Sequence, residues 1–466
     1  MKIWTLNSLL IIVTFLLTLI LISKVLREKR APGSTVAWLL IILFLPYVGI
    51  PMYLFMGGRK VKRIALKKAP LYPKLKPLQL SEESSEIKCI INKASLPPQT
   101  QNNQFKPLST GQETYQNIMH LLRNAKSSIH IATYIFGNDL VGKAILEVLC
   151  EKASSGVDVK LLLDGVGSFW FPRYKLKRLT KAKGAFAFFV PFFRVPFSGH
   201  SSLRNHRKMI LIDGKEAILG GMNISKEYMG KSHDKKRWID FCFFISGEAL
   251  ADFENIFMSD WSFATGKFDE PTKSSFSKEH QGSKLSKYQT PIQVITSGPD
   301  VAGDPLYDIL LTQIFRAKKR IFIATPYFIP DESLTRALEL ACHRDVDVQI
   351  FVPLHSDHIL LDLCRRSFLR QISLSGGNIH YYYPQMLHSK LTVIDDTFAL
   401  IGSANFDMRS LLYNYEVGVL LSSKQEVQLI KDQFDPIIKS TRLAKFTNYT
   451  GSNYIEGIGR IMAPLL

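Results

Sequence analysis

"HRKMILID" spans His206–Asp213 and "HSKLTVID" spans His388–Asp395. Each octet places a Lys two positions and an Asp seven positions after its His, and the two histidines lie 182 residues apart. One His-x-Lys carries no information in a chain with 11 histidines, but a second copy in the same longer register does. The register continues through "HRKMILIDGKEAILGGMN" to Asn223 and through "HSKLTVIDDTFALIGSAN" to Asn405, each 17 residues after its His. Packing alone would repeat the apolar positions and leave the intervening Lys free to vary. The repeat therefore predicts two related halves, each supplying one His, one Lys and one Asn.

Working outward, each octet reads as a strand with His and Lys on one face. "EAILGG" and "TFALIGS" read as the hairpin partners, and their Gly-Gly and Gly-Ser pairs let the chain turn the Asn back beside the His. Upstream, "SSIHIATYIF" (Ser127–Phe136), "VGKAILEVLCEKASSG" (Val141–Gly156) and "VDVKLLLD" (Val157–Asp164) read as strand, helix and strand. The order returns in "KRIFIATPYFIP" (Lys319–Pro330), "ESLTRALELACHR" (Glu332–Arg344) and "VDVQIFVPL" (Val346–Leu354). The predicted fold class is α/β, with two α/β/α halves on mixed, largely parallel sheets around one site. The predicted organisation is a two-segment membrane anchor (1–58), a basic Pro- and Lys-rich linker (59–106) and a first half (107–277). A polar linker (278–290), a second half (291–436) and a C-terminal segment read as a surface helix (437–466) follow.

Lys and Arg outnumber Asp and Glu 59 to 40, a net charge of +19, so the partner is anionic, either nucleic acid or a phospholipid surface. The N-terminus decides between them. Ile3–Ser23 and Val36–Met56 are uncharged, and each reaches about 30 Å as a helix, enough to cross hydrocarbon. No small-residue cleavage site follows the first, so a hairpin of two membrane helices is expected, the second kinked or partly re-entrant at Pro46 and Pro51. Basic residues after Gly58 favour the cytoplasmic face of the cell membrane for the main body. The five scattered cysteines form no CxxC pair and read as buried, reduced thiols. Between Asp164 and Asp213 stand ten basic and ten aromatic residues and no acid, concentrated in Ser168–Arg178 and Ala187–Phe197. That mixture suits a membrane interface, with about half of its phenylalanines expected in the core. His355 and His358 lack a third ligand at telling spacing and read as a helix N-terminus, not a metal site.

Duplicated His, Lys and Asn fit substitution at a phosphodiester. Two ammonium groups and two amides would hold the equatorial oxygens as their charge grows. One imidazole attacks phosphorus and the other protonates the leaving alcohol. The candidate catalytic set is His206, Lys208, Asp213, His388, Lys390 and Asp395, in which the two aspartates are expected to brace strand ends. Asn223, Asn405 and Ser403 are candidate substrate-binding residues. Each imidazole needs an acceptor on its other nitrogen. Glu416 lies 28 residues after His388; Asp234 matches that spacing in the first half, but the pattern around Asp240 matches better. Asp240 and Glu416 are therefore the candidate orienting carboxylates, each assigned to the histidine of its own half. No cofactor and no metal is expected.

The paired motifs resemble the phospholipase D superfamily, whose members join two such halves around a single site. "STVAWLLIILFLPYVGIPMYLFMGGRK" (Ser34–Lys60), "RNHRKMILIDG" (Arg204–Gly214), "TPYFIPDESL" (Thr325–Leu334), "NFDMRSLLYNYEV" (Asn405–Val417) and the terminal "APLL" (Ala463–Leu466) are similar to its bacterial cardiolipin synthase branch. In "RWIDFCFF" the residues after Asp240 are apolar where that branch commonly has a basic or polar sequel. The resemblance implies a membrane phosphatidyltransferase that converts two phosphatidylglycerols to cardiolipin and glycerol, with His206 the nucleophile. A phospholipase D hydrolase is the alternative, and a membrane-tethered nuclease is a more distant one.

Overall fold

The apolar cores of the octets are short strands, each closed into a hairpin by the apolar run that follows. Met209–Ile212 (β5) pairs antiparallel with Glu216–Gly220 (β6), and Leu391–Ile394 (β13) pairs antiparallel with Phe398–Gly402 (β14). Both turns need left-handed backbone, supplied by Asp213 (φ 53°) and Asp395 (φ 52°), a conformation that Asp tolerates better than most residues. The computed structural model describes residues 2–27, 32–56, 68, 71, 86–190, 203–267, 289–446, 456–457 and 459–460.

Around each hairpin the halves repeat one another. The first half has Thr100–Leu108 (β1), Ser128–Thr133 (β2), Asp158–Leu163 (β3), Ala185–Phe188 (β4) and Cys242–Gly247 (β7). The second has Thr290–Ser297 (β8), Arg320–Ala324 (β9), Asp347–Pro353 (β11), Asn378–Tyr382 (β12), Glu416–Leu421 (β16) and Thr441–Leu443 (β17). Phe328–Ile329 (β10) and Phe406–Asp407 (β15) form a separate parallel pair. The main sheet has 15 strands in the order β17-β12-β11-β9-β13-β14-β16-β8-β1-β7-β6-β5-β2-β3-β4. The two halves are thus related by exchange about the β8–β1 seam.

Parallel pairing in this sheet is confined to β2–β3–β4 and β9–β11–β12, and the other neighbours are antiparallel. The expectation of a largely parallel sheet is corrected on this point. The βαβ pattern is legible from its helices, whereas the seam strands are not. β1, "TQNNQFKPL", is polar and falls inside the stretch read as linker, and β8 begins at Thr290, in the second stretch read as linker. Helix Glu86–Lys93 also lies within the first linker, whose residues 59–67, 69–70 and 72–85 fall outside the described set. The C-terminal stretch begins at the end of helix Phe434–Ile438 and continues into β17, which pairs with β12; residues 456–457 and 459–460 are helical, and residues 447–455, 458 and 461–466 are not described.

One apolar core runs under both halves on one face, joining Phe253, Phe257 and Trp261 of helix Leu250–Thr265 to Val427, Ile430 and Phe434. The opposite face carries two separate cores, one per half. This continuity makes the two halves one body. The N-terminal helices Lys2–Arg27, Pro32–Phe44 and Pro46–Met56 form their own small cluster around Trp38 and Tyr53. The second apolar stretch is broken at Leu45, where Pro46 cannot donate to the preceding turn. Among the described residues no helix is long and apolar enough to cross a membrane. Cys242 and Cys364 are buried as expected, but Cys150 and Cys342 are half-buried and Cys89 is exposed on helix Glu86–Lys93.

Candidate active site

The octets are not continuous strands. Their ladders begin at Met209 and Leu391, and the three residues before each leave the sheet to pair with the other half. Asn205 bridges Tyr415 and Leu387 bridges Ile239, both in parallel sense. The His206 N–H donates to the Tyr415 carbonyl at 2.9 Å, and the Tyr415 N–H donates to Arg204 at 3.0 Å. The mirror bonds run from His388 N–H to Ile239 at 2.7 Å and from Ile239 N–H to Met386 at 2.8 Å. Each histidine is thereby set beside the residue that follows the partner half's bridge.

Those residues are Glu416 and Asp240. His206 Nδ1 lies 3.0 Å from Glu416 Oε1, and His388 Nδ1 lies 2.7 Å from Asp240 Oδ2. Each candidate orienting carboxylate thus lies against the histidine of the other half, not that of its own. Asp234 stays exposed and caps its own loop through Lys236. With Nδ1 committed, each ring presents Nε2 to the site.

Four buried charges surround the imidazoles. Lys208 Nζ donates to the His206 carbonyl at 2.9 Å, and Lys390 contacts the carbonyl and Nδ1 of His388. Burial lowers the Lys208 ammonium to about 7, with Lys390 adding to the effect against Glu416 and Asp240. Burial and the neighbouring Lys390 lower His388 to about 4, and burial also lowers His206. Burial alone would raise the Glu416 and Asp240 carboxyls, but the facing imidazoles and lysines hold both below the usual range. These shifts favour neutral imidazoles and charged carboxylates in the substrate-free site at neutral pH.

The two halves differ behind their carboxylates. Gly220 has φ 143°, and a Cβ on Gly221 would lie 2.2 Å from Asp240 Oδ1, so the Gly-Gly pair is what lets that carboxylate approach. Ser403 stands where Gly221 stands. Its hydroxyl donates to Glu416 Oε2 and accepts the Val417 N–H at 3.0 Å. Ser403, a candidate substrate-binding residue, thus has its hydroxyl within reach of two acceptors in the protein, Glu416 Oε2 and, at 3.2 Å, the Val417 carbonyl.

Asn223 accepts the Ile135 N–H at 3.1 Å and donates to the Tyr228 hydroxyl at 3.0 Å. Asn405 Oδ1 is buried with no partner among the described residues, the kind of atom a substrate group satisfies. The octet aspartates brace turns: Asp213 accepts the N–H groups of Lys126, Ser127 and Ser128, and Asp395 those of Lys318, Lys319 and Arg320.

Three tyrosines were not anticipated. Tyr134 meets His206 edge-on at 5.1 Å, and Tyr327 lies at the equivalent place beside His388, with ring centroids 6.4 Å apart. Their signal was available in the echo of "ATYIF" and "ATPYF". The Tyr228 hydroxyl, 3.3 Å from His388 Nε2, has no counterpart in the repeat and was silent in sequence. His358 is the N-cap of helix Ile359–Leu374, as expected. Within the aromatic-basic stretch, Trp170 and Tyr174 are exposed while Phe171 and Phe189 are core; residues 191–202 are not described.

A paired sheet of two exchanged halves with His and Lys from both in one site defines a phospholipase D-like protein. The family model described as "Cardiolipin synthase, PLD-like domain" matches residues 118–261 and 310–438, and "Phospholipase_D-nuclease N-terminal" matches 16–58. Cardiolipin synthase 1 of Bacillus cereus is 32% identical over 460 residues, covering 94% of this chain and 90% of that protein. Cardiolipin synthase of Clostridium perfringens is 32% identical over 458 residues, covering 94% and 95%. Phosphatidylserine synthase of Haemophilus influenzae shares the fold at a TM-score of 0.61 and 16% identity, over 82% of this chain and 100% of that one. The chain belongs to the cardiolipin synthase family of phospholipase D-like proteins.

Proposed function

We propose that this protein is a cardiolipin synthase that transfers a phosphatidyl group between two phosphatidylglycerol molecules through a phosphohistidine. The observation that carries the reading is the crossed pair of imidazole–carboxylate contacts, His206–Glu416 and His388–Asp240, in one buried site with two lysines. The Nε2 of one histidine, His206 by family resemblance, attacks phosphorus as the glycerol oxygen leaves with a proton from the other. The hydroxyl of the second phosphatidylglycerol then gives its proton to that same imidazole. Its oxygen attacks phosphorus and the histidine departs. Burial favours the neutral form of both rings before substrate binds, and the phosphodiester's negative charge favours protonation of the acid. Lys208, Lys390 and the amide N–H groups of the two asparagines hold the phosphoryl oxygens, and Asn405 Oδ1 is placed to accept from a substrate hydroxyl.

The acceptor is a lipid hydroxyl because the site opens at the membrane surface. Two features support this. The N-terminal helices leave Phe15, Ile20 and Phe44 each more than 60% exposed, an apolar surface in need of a partner. Exposed Trp170 and Tyr174 stand among Arg173, Lys175, Lys177 and Arg178, in helix Arg173–Lys181 and the turn before it, a mixture of rings and bases that suits an anionic interface. In this reading the N-terminal helices form a hairpin in the cell membrane and the catalytic body faces the cytoplasm.

Supplied with phosphatidylglycerol alone, the protein makes cardiolipin and glycerol in equal amounts without nucleotide, and added glycerol reverses the reaction. Phosphatidic acid as the chief product in membranes would replace this reading with a hydrolase, and cleavage of oligonucleotide without lipid turnover would replace it with a nuclease.

A further inference from the structure

Lys68 belongs to the basic run after the N-terminal helices, where lysines are expected to face headgroups, yet it is only 3% exposed. Its ammonium contacts Asp260 Oδ1 and lies 2.6 Å from Asp300 Oδ2. The rings of Tyr415 and Phe189 lie 4.8 Å and 5.7 Å from it. Three residues on, the Leu71 N–H donates to the Asp300 carbonyl at 3.1 Å, so Asp300 is bonded by Lys68 through its side chain and by Leu71 through its main chain.

The two carboxylates also receive the residues flanking His206. Arg207 Nη1 donates to Asp260 Oδ1 at 2.8 Å, and Asn205 Nδ2 donates to Asp260 Oδ2 at 2.8 Å. Arg207 Nη2 lies 3.5 Å from Asp300 Oδ1, and Arg207 Nε donates to the Glu416 carbonyl at 3.2 Å. All four charged side chains are essentially out of solvent. Two buried anions face two cations, and one cation comes from the chain leading to the N-terminal helices. Among the described residues the second half has no such cluster at the equivalent place, where Ser389 stands for Arg207 and its hydroxyl donates to the Ile239 carbonyl.

We propose that Lys68 is a positioning residue for the His206–Glu416 pair, its ammonium balancing Asp260 and Asp300 so that Arg207 stays bound to the Glu416 main chain. Lys68 is then a strut of the active site. Removing one member of a buried ionic group leaves an uncompensated charge, which displaces its neighbours or shifts their protonation. Burial alone would raise the Asp260 carboxyl, but Arg207 and Lys68 hold it below the usual range. Without Lys68 two carboxylates share one guanidinium. The excess negative charge favours imidazolium at His206, whose other charged or titratable neighbours are Glu416, Lys208, Lys390 and Tyr134.

The inference rests on His206 acting in its neutral form, as the proposed function has it, but not on the identity of the acceptor. The test therefore follows consumption of phosphatidylglycerol in mixed detergent micelles against pH, with the full chain and melting curves for every variant. In Lys68→Met, kcat falls about tenfold with KM nearly unchanged, and the acid limb of the kcat profile moves up by about one pH unit. Asp300→Asn moves that limb down, and Lys68→Met/Asp300→Asn returns it towards wild type with most of the rate. Lys68→Arg stays within about threefold of wild type, and Lys67→Met matches it. Limbs that do not move, or that move the same way in Lys68→Met and Asp300→Asn, overturn the proposal, as does a rate loss that only tracks lower melting temperature. Phosphatidic acid in place of cardiolipin would overturn the synthase reading and leave these pH shifts intact.

Discussion

Glu416 of the second half accepts the Nδ1 proton of His206 from the first, at 3.0 Å, and Asp240 does the same for His388 in the opposite direction at 2.7 Å. Neither half holds a complete catalytic pair. Orientation of each imidazole depends on closure of the seam, so a damaged seam disables both at once.

Glu416→Gln and Asp240→Asn should each lower kcat by about 10²–10⁴ while leaving the chain folded. The amide keeps the shape of the carboxylate but presents a hydrogen where the ring needs an acceptor, favouring the wrong tautomer. Steady-state turnover with melting curves as control measures this, and a loss below tenfold in either variant would separate that carboxylate from the chemistry.

Ser403 divides orientation from substrate binding. Because its hydroxyl donates to Glu416, Ser403→Ala should reduce kcat by roughly tenfold at nearly constant KM. A raised KM at unchanged kcat would return Ser403 to a direct contact with lipid.

The alkaline side of the pH profile should follow Lys208. Its ammonium, lowered to about 7, is charged below that pH and loses its proton as pH rises through it. The protonated form is the one that holds phosphate oxygens, so kcat/KM should fall above about pH 7. Bound phosphodiester raises the value, so kcat itself should fall at higher pH. Lys208→Arg keeps its charge and should flatten the kcat/KM limb, at a lower absolute rate. A limb that persists in this variant would belong to another group.

The octet aspartates should prove structural. Asp213→Ala removes the acceptor of three main-chain N–H groups and leaves Ala at φ 53°, so stability should drop by about 1–3 kcal/mol. Turnover of the folded fraction should stay within about threefold of wild type, and Asp395→Ala should behave alike. Denaturant unfolding alongside activity tests both halves of this statement.

The duplicated octets, read alone, determine that the chain has two related α/β halves and that their histidines and lysines serve one site. The βαβ units were legible because buried strands and amphipathic helices carry strong local periodicity, and Glu416 and Asp240 were legible because the repeat places them alike. The seam was not. β1 is polar, its pairing with β8 is set by contacts 187 to 192 residues away, and no local pattern encodes a partner so distant. For the same reason the sequence assigned each carboxylate to its own half. Only the parallel bridges Asn205–Tyr415 and Ile239–Leu387 exchange them. Ser403, Tyr228 and Lys68 belong with the tertiary decisions too. Ser403 reads in sequence as a substrate-binding candidate, and Tyr228 and Lys68 as ordinary polar residues; the contacts of each come from what burial leaves within hydrogen-bond reach: a carboxylate for Ser403, an imidazole for Tyr228, two aspartates for Lys68.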